Sequence, residues 1–193
     1  MKTQQQRKGM STEDFVMGAI LTALVFILQY VSMIVKISAV PITLVLIPVV
    51  IGAAYCGRGM GAWLGFAFGL AVLLTGASEP FFSINPFGTI VTVLAKGTLC
   101  GLAAGIVYKA LESKNRFLAV LLAAIVCPIA NTGVFFIGCL IFFMPTITEW
   151  AGSQNVALYM FVGLAGINFL VEFGINLILN PAIARLLDAL KKK

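Results

Sequence analysis

Histidine is absent from the 193 residues, and charge of either sign is scarce: 13 Lys and Arg, 7 Asp and Glu, together 10% of the chain. Without His there is no Ser-His-Asp or Cys-His nucleophile, no His-ligated metal and no imidazole proton shuttle. The four cysteines, Cys56, Cys100, Cys127 and Cys139, are scattered through apolar stretches with no CxxC pair. They read as small packing residues rather than metal ligands or a redox couple. No G-x-x-x-x-G-K-[ST] loop is present to cradle a nucleotide phosphate. The expectation is therefore no enzyme, no metal and no cofactor.

What fills the chain instead is apolar, 61% of the residues, where a soluble domain carries roughly half apolar and a quarter charged. Each crossing of a hydrocarbon layer of about 30 Å takes about 20 residues, and such runs recur nearly end to end. The run from Phe15 to Val35 is too long for a signal-peptide core and ends without a small-residue cleavage site, so it is a retained helix. Breaks rich in Gly, Pro or charge fall at Lys36–Pro41, Gly57–Gly61, Gly76–Pro86, Glu112–Arg116 and Pro145–Asn155. They predict an all-α, polytopic membrane protein with six transmembrane helices, over 15–35, 42–56, 61–75, 87–111, 117–144 and 157–187. Residues 1–14 form an N-terminal tail, 15–187 the membrane domain and 188–193 a basic C-terminal tail.

All 13 basic residues except Lys36 and Lys96 fall in the tails, at Gly57–Gly61, at Glu112–Arg116 or at the adjoining helix ends, while Glu79 and Glu149 sit in the opposite connections. Lys and Arg favour the cytoplasmic side, which puts both termini there. The net charge of +6 is accordingly a topology signal and a grip on anionic lipid, not a nucleic-acid surface.

Polar groups inside spans are costly and mark cavities by default. Lys96 lies about 14 Å into the fourth predicted helix at 1.5 Å per residue, too deep to reach either interface. It either binds a ligand or pairs with Glu172. Asn168, Glu172, Asn176 and Asn180 recur every fourth residue and so share one stripe of the sixth helix. Asn131 follows Pro128, which frees a carbonyl and kinks the fifth helix. Helix rise brings Lys96, Asn131 and Asn168 to a similar level, leaning outward. Aromatic connections over that level, with Phe82 and Trp150 as the named candidates, either cap an apolar site with a few directional polar groups or form an interfacial belt. Small residues every fourth position, Gly61, Gly65 and Gly69 in the third helix and Gly97, Gly101 and Gly105 in the fourth, predict close packing within the bundle. A similar face at Ala19 and Ala23 on the first helix is available to another protein.

The stretch ITLVLIPVVIGAAYCGRGMGAWLGFAFGL at 42–70, the Ala19-x-x-x-Ala23 face and six spans in under 200 residues resemble the substrate-binding S components of energy-coupling factor (ECF) vitamin transporters, in the pantothenate and riboflavin group. That resemblance implies a subunit of the cell membrane that binds a water-soluble vitamin from outside. Uptake would be powered by a transmembrane T component and two cytoplasmic ATPase subunits. It implies docking of the T component on Ala19 and Ala23, and a ligand cavity formed by the outer loops and the outer halves of the fourth to sixth helices, where Lys96, Asn131, Asn168, Glu172, Phe82 and Trp150 fall. A cation such as Lys96 suits a carboxylate vitamin and leans toward pantothenate. The alternative is a stand-alone secondary transporter driven by protons through Glu172, against which stands the lack of an internal repeat.

Overall fold

The computed structural model describes residues 11–34, 44–164 and 166–191, with the backbone alone at 167, 168, 190 and 191. The tail over 1–10 and the predicted break at Lys36–Pro41 lie outside the described residues. The regular elements are all helical: α1 (Thr12–Ile34), α2 (Leu46–Tyr55), α3 (Arg58–Leu74), a short α4 (Glu79–Phe82), α5 (Pro86–Leu111), α6 (Arg116–Phe142), α7 (Met144–Ala151), a single turn α8 (Val156–Leu158), a π-helical stretch Tyr159–Leu164, and α9 (Gly166–Lys191).

By length and composition α1, α5, α6 and Phe169–Ala189 of α9 can cross a bilayer, whereas α2 and α3 are shorter apolar helices. At 1.5 Å per residue α2 covers about 15 Å and α3 about 26 Å of a layer about 30 Å thick. Several boundaries differ from expectation, each for a local reason. The first helix starts at Thr12 rather than 15 because Ser11 and Asp14 form a capping box: Asp14 N–H donates to Ser11 Oγ at 3.1 Å and Ser11 N–H to Asp14 Oδ2 at 3.2 Å. The third starts at Arg58 because Gly57, at φ 93°, makes the whole turn after α2. The connections at 76–86 and 145–155 contain α4 and α7, with Pro80 and Pro145 in their first turns, where a missing N–H costs nothing. The last helix is interrupted by the π-helical stretch, then runs on to Lys191, so the expected tail from 188 begins as helix.

The most extensive contact is α3 on α5, and glycines make it. Gly61 and Gly65 lie against the backbone of Gly101 and Gly97, Gly69 against Val93 and Leu94, and Gly105 against Arg58. A Cβ at any of these positions would overlap its neighbour, so the four-residue glycine spacing is an intramolecular packing device. Around this pair α1, α2, α6 and α9 close a core that includes Val25, Val49, Leu64, Phe68, Cys100, Tyr108, Ala123 and Leu187. A second, smaller core of Cys139, Phe143, Ile147 and Met160 lies under α4 and α7.

The bundle has two unlike ends. At one, Arg116 donates to Asp188 at 2.7 Å, Lys109 pairs with Glu112 at 2.5 Å, and Asp14 reaches Cys56. Arg58, Lys114 and Arg185 belong to the same end, which is therefore basic. At the other, Gln29 of α1 donates to Thr75 beyond α3 at 3.3 Å, and α4 and α7 bring aromatic rings together. Between the ends the outer faces of the helices are apolar, as with Ile20 and Ile27 on α1, Ile137 and Ile141 on α6, and Ile178 on α9, all more than half exposed.

Candidate functional site

Lys96 of α5 extends between two rings, its Nζ 5.8 Å from the centroid of Phe68 on α3 and 5.5 Å from that of Phe135 on α6. A ring face attracts an ammonium through its quadrupole, more strongly where water is excluded. Neither ring accepts a conventional hydrogen bond, and the ammonium has no hydrogen-bond acceptor among the described residues. Glu172 of α9 acts on it electrostatically, and the thiols of Cys100 and Cys139 flank it. Four helices thus meet at this one charge.

The register of the polar groups follows from fixed points. The Arg116–Asp188 bond pins antiparallel α6 and α9, so equal steps of 1.5 Å bring Asn131 level with Glu172 and Pro128 level with Asn176. On the other seam, Thr92 of α5 lies against Gly138 of α6 and Cys100 meets Cys127, which brings Asn131 to about the level of Lys96. Asn131 and Glu172 are 7% and 6% exposed. Asn176 donates to the Glu172 carbonyl at 3.0 Å. The Oδ1 atoms of Asn131 and Asn176, both amide atoms of Asn180, Gln29 Oε1 and Thr92 Oγ1 are buried with no partner. Buried polar atoms are nearly always satisfied by protein or by ordered water; apart from Gln29 on α1, these atoms form a column along α9 and the α5–α6 seam that offers hydrogen-bonding groups to a polar guest. The side chain of Asn168 lies outside the described residues.

The aromatic lid differs in detail from the sequence reading. Phe82 is 38% exposed on α4, and it is Phe81 that joins the cluster, with its ring edge-on to Phe135 at 5.6 Å, Phe143 at 5.1 Å and Trp150 at 5.6 Å. These spacings are those of mutually attractive aromatic pairs. Phe135 therefore links lid to site, touching Phe81 on one side and Lys96 on the other. The sequence points to Phe82 and Trp150 but carries no signal that separates Phe81 from Phe82 or that singles out Phe135 or Thr92. Among the described residues no three His, Cys, Asp or Glu are grouped to hold a metal.

A second feature lies near the basic end. Ala19 and Ala23, both exposed, line an open groove of about 1180 Å³ between α1 and α3, with Trp63 along its edge. The Trp63 indole donates to Thr22 Oγ1 at 3.1 Å, and Thr22 donates to the Gly18 carbonyl at 2.7 Å. Gly18 itself is filled from the other side by Met60. At the groove's foot, burial and then the charge of Asp14 push the Cys56 thiol up to about 12, which keeps it protonated.

A family model described as the ECF transporter substrate-specific component matches residues 14–184. Comparison with curated proteins and with solved structures gives no match. The matched span runs from the first turn of α1 into the last turns of α9 and so takes in the Lys96 site, the aromatic cluster and the α1–α3 groove: the chain belongs to the substrate-specific components of ECF transporters, the substrate-binding subunits of a membrane transport system.

Proposed function

We propose that this subunit captures a water-soluble vitamin from outside the cell membrane, with six membrane-embedded helices and both termini in the cytoplasm, and that pantothenate is the vitamin best suited to the site. The vitamin enters at the aromatic end, past Phe82, Phe81 and Trp150, and is oriented by Lys96, Asn131, Asn168 and Glu172. The basic end faces the cytoplasm, in keeping with the preference of Lys and Arg for that side. The α1–α3 groove, with Ala19 and Ala23 on its floor, receives the T component, and two ATPase subunits supply the work. Release then requires that docking favour an inward state of lower affinity, since a partner shifts an equilibrium only by its differential binding to the two states.

One observation carries this reading: an ammonium at membrane depth, held between the rings of Phe68 and Phe135, on a level with buried polar atoms of Thr92 and Asn131 that have no partner. A charge inside a span is expensive, and by default it marks a cavity or a ligand rather than packing. Titration of vitamins into purified Lys96→Met protein tests it. The best ligand should bind at least about a hundredfold more weakly than to wild type, as for a lost charge-assisted contact in a dry site. Unchanged affinity would make Lys96 a structural residue.

A further inference from the structure

We infer that the substrate is a carboxylate that also carries a hydroxyl or N–H donor: two donors of α5, Lys96 Nζ and Thr92 Oγ1, take the anionic end, and Asn131 Oδ1 of α6 accepts from the donor. The inference rests on the capture reading above and assigns a role to Thr92, which that reading does not use. Hydroxyls in helices of low polarity normally donate back to the carbonyl one turn earlier. On the same helix Thr89 does so to Asn85 at 2.9 Å and Thr98 to Leu94 at 2.7 Å, and on α1 Ser32 does so to Leu28 at 2.7 Å. Thr92 is 5% exposed and does not: its side chain, methyl and hydroxyl alike, lies against Gly138 of α6, and its Oγ1 has no partner. A side chain at 138 would drive into Thr92, so this glycine leaves room for the Thr92 side chain in the α5–α6 seam.

The second donor reaches the same level. Long helical side chains lean toward the N-terminus of their helix, which carries the Lys96 ammonium from its own turn toward that of Thr92. Among its neighbours Phe135 and Cys139 bracket Gly138, the residue that lies against Thr92, while Cys100 lies one turn to the other side. Two donors one helical turn apart on the same face, one of them cationic, suit the two oxygens of a carboxylate and repel a cationic ligand. Glu172 competes for the ammonium from α9, but Thr92 Oγ1 has no partner, so Glu172 does not bridge the pair. A ligand carboxylate that does bridge it gains a hydrogen bond that Glu172 forgoes. About one turn deeper, the buried Asn131 Oδ1 is an acceptor without a donor, which a ligand satisfies with O–H or N–H.

The experiment is calorimetric titration of the purified full chain with matched pairs that differ in charge at one end and keep their hydroxyl or N–H donors: pantothenate and pantothenol, biotin and biotinamide. A carboxylate should bind, and its neutral counterpart about a hundredfold more weakly. Thr92→Val should weaken the carboxylate about tenfold and the neutral counterpart by less than about twofold, and Thr92→Ser should restore it. Asn131→Leu should weaken both members of the pair alike, since both keep the hydroxyl or amide. Equal affinity within the pairs, or an equal effect of Thr92→Val on both members, overturns the donor-pair assignment. Binding of an uncharged or cationic vitamin such as riboflavin or thiamine, with no carboxylate bound, overturns the substrate class while vitamin capture stands. Folded, monodisperse protein that binds none of the vitamins overturns both.

Discussion

Two ring faces offset the charge of Lys96 by about 1–2 kcal/mol each when desolvated, against a cost of at least about 2.5–3.5 kcal/mol for a cation in the middle of a bilayer, and more on an isolated helix. Glu172 adds to this from α9, and on the proposed reading an anionic ligand adds the rest. The glycines between α3 and α5 represent the opposite economy, in which a residue is chosen for what it lacks. Gly65 and Gly97 approach backbone to backbone, whereas a Cβ on Gly133 meets open space. Gly97→Leu should lower stability by about 1–3 kcal/mol or more, in the range of overpacked cores, while Gly133→Ala should leave it within about 0.5 kcal/mol. Thermal unfolding in one detergent reads both. A neutral Gly97→Leu would mean that α3 and α5 separate at little cost and that their glycines are not what holds the bundle.

At the scale of elements, α1 has two faces with different duties. Gly18, Leu21, Val25, Gln29 and Ser32 are buried in the bundle, and Ala19 and Ala23 lie on the exposed side beside the α1–α3 groove. Ala19→Leu together with Ala23→Leu should leave vitamin affinity within about twofold, because surface changes away from a site move little. Uptake by the assembled transporter should be lost, since bulk on a small-residue face keeps helices apart. Pull-down of the T component and titration of the vitamin separate the two effects, and equal loss of both would make the face internal packing. The helices themselves were legible in the sequence because lipid demands long apolar runs, and the glycine pairing because small residues at a spacing of four have one use. Lys96 stood out as a charge where none belongs. Less was legible where tertiary contacts decide. Phe81 and Phe82 are equivalent until α4 forms and turns only the first inward. Thr92 is one hydroxyl among several until its rotamer departs from the back-bonded form. The start of the last helix read as continuous because no residue type announces a π-helical stretch.

For the whole molecule, the consequence of two unlike ends is a single orientation in the membrane. The basic end gathers Arg58, Lys109, Lys114, Arg116 and Arg185, while the aromatic end carries Glu79 and Glu149 without a described cation. The proposed orientation, with the basic end in the cytoplasm, follows from such an asymmetry in short connections. Native thiols are poor reporters of this and so leave a clean background: Cys100, Cys127 and Cys139 are buried. Cys56 is pushed from 9 to about 12, so across pH 7–9 it stays protonated and reacts slowly. The same shift has a sign for stability. Above about pH 9 an unfolded Cys56 ionises and the folded one does not, so the contribution of this group to stability falls between about pH 9 and 12. Two exposed serines supply the test, Ser113 between α5 and α6 at the basic end and Ser153 after α7 at the aromatic end. In intact cells at pH 7, a membrane-impermeant maleimide should label Ser153→Cys, and should label Ser113→Cys only after permeabilisation. Labelling of Ser113→Cys in intact cells with Ser153→Cys protected would invert the bundle. Lys96 and its donor partner would then open to the cytoplasm, and capture from outside would be impossible.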